Sequence, residues 1–404
     1  MKSYILACFF FFLLFDCVQA QQLDRSQRTK RRDARSIEDL SVKPEEITHV
    51  NFNRKKITEF PIDLLKCINI EEINLSQNDI TNIPDGISVL SKLKRLILSQ
   101  NNIATLSSQL SRISELEFLD ISSNPLKSIP DFTSFQRLKS LNIAHLKLQE
   151  LPSSLLKMDS LTELNISYLG LKTLPDLSNM RQLSILNIDS NQLSSIPANI
   201  DKLRELRSFS AANNLITSIP ASLFSLPVLR SLNLSGNKIS VIPKEINQSK
   251  ALFILEVSNN TLTSIPVELF SIPRLQTLNI SDNQIAQLPT EIPDNSTLKN
   301  LDLSYNRLTQ ITPSLWKCQS LSQLSIEGNL LKTIPNGISN LKELSTFDIG
   351  KNPMESIPIK ELLNMRSLRQ IGIVSRREFE RRREQILLDK SKDQKGKTEI
   401  KDEK

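Results

Sequence analysis

From residue 47 onward the apolar positions repeat one phrase, L-x-x-L-x-L-x-x-N-x-L-x-x-I-P-x-x-L-x-x-L-x-x. Its first apolar position falls at Ile47, Ile70, Leu93, Leu116, Leu138, Leu161, Leu183, Leu206, Leu229, Leu252, Leu275, Leu298, Leu321 and Leu344, and Leu368 opens a truncated further copy. The step is 23 residues, apart from two of 22 and a last one of 24. A fixed period of this length marks stacked units, each burying its apolar side against the next. Within a unit the L-x-L stretch alternates, which predicts a short strand with one face inward. The return leg, for example Ile219-Pro220-Ala221-Ser222-Leu223-Phe224, predicts short helical or extended turns on the opposite side.

An asparagine stands five places after the second leucine of most units: Asn78, Asn101, Asn124, Asn191, Asn214, Asn237, Asn260, Asn283, Asn306, Asn329 and Asn352. An amide both donates and accepts, so it can satisfy backbone groups that a tight bend leaves unpaired. The following I-P step fixes the backbone and removes a donor. Strands at about 4.8 Å spacing pack more closely than the return legs, so the stack is expected to curve with its sheet on the inside.

Composition agrees with thin layers rather than one large core. The chain has 8 glycines, 19 prolines and 5% aromatics against 39% hydrophobic residues. The phrase resembles the 23-residue class of leucine-rich repeat proteins. That class includes the Shoc-type Ras-pathway scaffolds, the Scribble and Erbin group, and the plant intracellular Ras-group-related proteins. The resemblance covers about residues 47–375 and implies an α/β leucine-rich repeat solenoid. This would be a right-handed curved superhelix, with a parallel β-sheet on the concave face and short turns on the convex face. Those families are mostly intracellular and suggest a signalling scaffold. The cysteine-rich caps that flank the repeats of many extracellular members have no counterpart here.

The ends differ from the body. Residues 1–20 read as a secretory signal: Lys2, an apolar run from Ile5 to Phe15, then Val18 and Ala20 as small residues before the cut. The alternative is a membrane-anchored or buried helix. Residues 21–35 form a basic linker or propeptide in which Arg28-Thr29-Lys30-Arg31 fits a processing site ending at Arg31, or else a solvated linker. Residues 36–46 are expected to cap the first repeat, and 47–374 to form fourteen repeats plus a truncated one. Ser375-Arg376-Arg377-Glu378 followed by Phe379, Ile386 and Leu387 predicts a closing helix over 375–389, with a partner-binding helix as the alternative. Residues 390–404 are a charged tail with the composition of a disordered segment. Net charge is +4 over 21–35, zero over 36–375 and +3 over 376–404, so the basic balance belongs to the ends. A nucleic-acid-binding stripe on the folded body is therefore not expected. No further apolar run reaches spanning length.

Chemistry is sparse. His49 and His145 lie four repeats apart, no cysteine–histidine cluster has metal-ligand spacing, and no nucleophile elbow or phosphate loop occurs. The sequence predicts no enzyme, metal or cofactor. Leu146 and Leu169 replace the column asparagine in adjacent units, and both 22-residue steps fall nearby, at Pro130-Asp131-Phe132 and Pro175-Asp176-Leu177. This zone suggests a concave binding patch of Phe118, Lys139, His145, Glu163 and Tyr168, the alternative being a variant turn with ordinary solvent-facing residues. Tyr305 and Phe253 read as isolated outward aromatics. Trp316 shares a core column with Leu65 and Phe224, and Cys67 and Cys318 read as buried, unpaired thiols. Seven N-x-S/T sequons occur, at Asn74, Asn165, Asn233, Asn247, Asn259, Asn279 and Asn295; those at Asn74, Asn165, Asn233 and Asn279 follow from the repeat, and Asn247 and Asn295, on return legs, are the preferred glycosylation sites. The expected function is a secreted recognition protein that binds a protein or glycan on its concave face. An intracellular scaffold and a structural matrix component are the other readings.

Overall fold

The computed structural model describes residues 32–34, 36–148, 150–372 and 374–375. The expected signal segment, Arg31, residues 376–389 and the tail lie outside the described residues. The chain divides into two compact units, residues 1–140 and 141–404. Both are built from the same repeat, and the fold is a repeat solenoid with parallel strands and short 3-10 turns.

In the first unit the strands Asp33–Ala34, His49–Asn51, Glu72–Asn74, Arg95–Ile97 and Phe118–Asp120 pair in parallel, each with the next. In the second, parallel pairing runs from Glu163–Asn165 through Ile185–Asn187, Ser208–Ser210, Ser231–Asn233, Ile254–Glu256, Thr277–Asn279, Asn300–Asp302, Gln323–Ser325 and Thr346–Asp348 to Gln370–Ile371. The strand Ser140–Asn142 falls at the division. Register follows the repeat: Leu232 stands opposite Leu255, and Leu255 opposite Leu278. These central residues point inward and are buried, so a slip of one residue would expose the whole apolar column.

Proline positions the return legs. Pro84, Pro220 and Pro243 are extended residues just before 3-10 turns at Asp85–Val89, Ala221–Ser225 and Lys244–Gln248. Each proline carbonyl accepts the N–H of the third residue of its turn, as from Leu223 to Pro220 at 3.0 Å. Proline lacks only the donor, which is not needed there. Among the described residues one return leg closes as an α-helix, Ile359–Asn364.

The asparagine column forms a ladder between repeats. Asn237 Oδ1 accepts the N–H of Ile216 in the preceding repeat at 3.0 Å, while its Nδ2 donates to the carbonyls of Ala211 and Leu234, each at 2.9 Å. Asn101, Asn260, Asn306 and Asn329 make the same set. Leu146 and Leu169 are buried in this column and carry no amide, which interrupts the ladder for two repeats.

The cap begins earlier than residue 36. Asp33–Ala34, expected in the linker, adds a strand to His49–Val50 and buries Ala34. Leu40 is fully buried beneath it, and Glu46 pairs with Arg32 and Lys43. At the other end, Val374–Ser375 turns back antiparallel to Gln370–Ile371. Cys67 and Cys318 are buried free thiols, and burial pushes Cys318 up to about 12. Trp316 is core, its ring nitrogen donating to the Asn336 carbonyl at 3.1 Å.

Candidate functional site

The short strands present two residues per repeat outward, flanking a buried central side chain. Just past each strand, immediately before the asparagine column, the backbone is left-handed. Gln77, Gln100, Ser123, His145, Tyr168, Ser190, Asn213, Asn259, Asp282, Tyr305 and Lys351 all have φ between 52° and 57°, and Gly236 and Gly328 share the column at 69° and 67°. Their N–H groups still bond to the next repeat, as from His145 to Ser167 O at 3.1 Å and from Tyr168 to Asp189 O at 2.9 Å. Within each unit the column therefore extends the sheet, with its side chains held along one rim. Most residues resist left-handed backbone, so a bulky side chain here is fixed by its surroundings.

His145 and Tyr168 occupy consecutive places in this column, and their rings stack with centroids 3.8 Å apart and planes 16° from parallel. Tyr168 remains 50% exposed. Desolvation by burial lowers the His145 pKa. The residues that follow them in the chain, Leu146 and Leu169, are buried, so the two aromatic residues adjoin the two apolar breaks in the amide ladder.

The expected five-residue patch is only partly assembled. His145, Glu163 and Tyr168 belong to the second unit, Phe118 and Lys139 to the first. Phe118 is a correction: it is 8% exposed, covered by the Arg95 guanidinium 3.9 Å above its ring, and it offers no free face. Lys139 is held by Glu117 at 3.0 Å. Glu163 is half-buried in its strand.

A second rim group escaped the sequence reading. Tyr305 lies in the left-handed column, and its hydroxyl donates to Glu327 Oε1 at 2.9 Å. Lys351 bonds the same carboxylate oxygen at 2.8 Å, contacts the Tyr305 hydroxyl and sits 4.9 Å from its ring centroid. These contacts lower the Glu327 pKa, Lys351 first and Tyr305 after it, and raise that of Lys351. The Tyr305 ring lies against Gly328, where a Cβ would meet ring carbons at 2.7 and 2.9 Å. The signal was present in the sequence: glycine, asparagine and aspartate recur in that column, as left-handed backbone demands.

The outward third strand residue forms another column. Asn74, Asn165 and Asn279 each accept the N–H and hydroxyl of the serine two residues on, which is why the repeat generates N-x-S sequons. Asp120 and Asp302 do the same. Burial raises Glu256 to about 7 and Asp302 above its usual range. Asn247 is exposed on a return leg. Asn295 is a correction: it is buried, its Nδ2 donates to Phe270 O at 2.7 Å, and its Oδ1 accepts the N–H groups of Thr297 and Leu298. In the folded chain it presents no acceptor for a glycan.

Among the described residues, no group of three or more His, Cys, Asp or Glu side chains is placed to hold a metal ion, and no helix is long and apolar enough to cross a membrane.

A family model described as "Leucine rich repeat" matches residues 68–126, 204–262, 273–331 and 296–354. A comparison with curated proteins returned no match. Among solved structures, a leucine-rich repeat protein of Leptospira interrogans is similar over 88% of this chain and 97% of its own, at 26% identity and a TM-score of 0.74. The plant peptide hormone receptor RGFR1, solved in complex with RGF2, is 30% identical with a TM-score of 0.64; the match covers 78% of this chain and 53% of the receptor. An internalin of Listeria monocytogenes shares the fold at 24% identity, a TM-score of 0.59 and coverage of 84% and 90%.

Proposed function

This chain is a leucine-rich repeat protein, and on that premise we propose that it is a secreted recognition protein which binds a protein or peptide partner through the outward face of its sheet. The observation that carries the reading is the His145–Tyr168 stack. Two aromatic side chains are fixed on left-handed backbone at one rim and exposed, at the two repeats where leucine replaces the column asparagine. Rigid, amphipathic rings give contact area at little entropic cost, which is what a binding hot spot requires. The complex of RGFR1 with RGF2 supports a peptide or protein as the class of partner. A glycan is the competing occupant, since stacked rings also receive sugars.

Secretion is supported by the apolar run Ile5 to Phe15 with Val18 and Ala20. The competing reading, an intracellular scaffold, is supported by two free buried thiols and no disulfide among the described residues. Expression of the full chain in eukaryotic cells, with medium and lysate separated and deglycosylated, decides between them. Protein in the medium, shifted on glycan removal at Asn247, is expected. Unshifted protein retained in the cytosol would overturn the secretory part and leave the scaffold reading in its place.

A further inference from the structure

We infer that the strand-start edge of the second unit, around the repeats that carry Arg181, Arg204 and Arg230, receives an acidic segment of a protein partner. This rests on the reading of the chain as a protein-binding surface and gives it a second, separate contact.

Arg181, Lys202, Arg204, Arg207 and Arg230 are all exposed on this edge. Arg204 and Arg207 enter the same strand, and Arg207 and Arg230 sit on adjacent rungs, the Arg207 carbonyl accepting the Arg230 N–H at 2.8 Å. Arg181, Lys202 and Arg204, with Asn179, Asn199 and Asp201, border an open cleft of about 400 Å³. The acids nearby are mostly committed. Asp201 pairs with Lys202 at 3.5 Å, and Asp176 accepts from Ser178 N–H and from Asn199 Nδ2 at 2.7 Å. Glu205 alone stands exposed in the same turn. Among the described residues none of the four guanidiniums has an ion-pair partner.

The equivalent edge of the first unit shows the contrast. There Lys94 is paired with Glu71 at 2.9 Å, Lys139 with Glu117 at 3.0 Å, and Arg137 with Glu115, rung to rung. The position of Lys94 and Lys139, one past the first leucine of the repeat, is held in the second unit by Arg207 and Arg230 on adjacent rungs. One rung in from this row, the buried hydroxyl of Ser208 has no hydrogen-bond partner within the protein.

Charge and shape select the occupant. Guanidinium groups match carboxylates in a bidentate fork, so unpaired arginines on neighbouring rungs suit successive acidic side chains of an extended segment. Phe253 is exposed on the next rung and would cover an apolar residue beyond them. A single-stranded nucleic acid would need successive aromatic platforms, and a bilayer would need an apolar face; this edge supplies one ring and no such face.

The test is a titration of the full chain with a labelled glutamate-rich peptide, its glutamine-for-glutamate counterpart, a sulfated oligosaccharide and a single-stranded oligonucleotide. The acidic peptide should bind and its neutral counterpart should not. Affinity should fall with added salt, and by about tenfold or more in R181Q/R204Q and in R207Q/R230Q, while R307Q/K332Q matches the parent. Absence of peptide binding, or equal affinity in both arginine variants, overturns the proposal. Tighter binding of the oligosaccharide or oligonucleotide at the same arginines also overturns it, because the site would then serve a different class of partner. H145A/Y168A should bind the peptide as the parent does, so failure of the rim and failure of this edge are read separately.

Discussion

The carboxylate of Asp189 accepts the backbone N–H of Ala212, one repeat ahead, at 2.6 Å, and the hydroxyl of Ser210 at 2.5 Å. In the neighbouring repeats an Asn or Asp in the strand performs this task for its own turn, as Asn187 does for Asp189 at 2.9 Å. Ser210 replaces that residue, and Asp189 supplies the missing acceptor from the repeat before. The substitution places a carboxylate among buried groups, and desolvation raises its pKa to about 6.

A pH dependence follows. The folded pKa lies above the unfolded value near 4, so the folded state holds the extra proton between about pH 4 and 6 and stability falls as pH rises through that window. Asp189→Asn keeps an oxygen acceptor for both donors and removes the charge. It should stabilise the protein at pH 7.5 by on the order of 1–2 kcal/mol, with the gain vanishing near pH 4. Denaturant melts at the two pH values check this; an equal effect at both would contradict it.

Asn237→Ala removes an acceptor for Ile216 N–H and donors to Ala211 and Leu234, all buried. Stranding those groups should cost about 2–4 kcal/mol by urea unfolding. Replacement of the exposed Asn247 by alanine should cost under about 0.5 kcal/mol.

Gly328→Ala should destabilise by about 1–2 kcal/mol, because left-handed backbone disfavours a side chain and the added Cβ meets the Tyr305 ring. In Tyr305→Ala the ring contact is gone and only the backbone term remains, so the glycine change should cost less. A double-mutant cycle measures the difference, and strict additivity would show that the ring does not press on this position.

Cys67 and Cys318 should resist a thiol reagent in the native protein and react together on unfolding, since both are buried and burial raises both thiol pKa values. Rapid native labelling of Cys318 would contradict this.

Much of the fold was legible in the sequence. Period and alternation gave the strand phase, the asparagine column gave the ladder, and column sharing placed Trp316 and both cysteines in the core. What escaped depends on contacts between repeats. Phe118 has an outward position but is roofed by Arg95, one rung away, and Tyr305 looks isolated until Lys351, two repeats on, folds back to it. Asn295 fits a sequon, yet the Phe270 carbonyl claims its amide. The strand at Asp33–Ala34 is too short to carry a periodic signal. Of the expected site, the equivalence of His145 and Tyr168 in adjacent repeats is legible in the repeat phase; their stacking and left-handed backbone arise from contacts between repeats.

The proposed function places partner binding on the His145–Tyr168 rim. It is tested by quantitative capture of a cross-linked partner by the full chain, comparing the parent, H145A/Y168A and a K332A/E355A control on an exposed ion pair. Capture should fall about tenfold or more in H145A/Y168A, with the melting temperature and the control unchanged. Undiminished capture by a folded H145A/Y168A protein would contradict it.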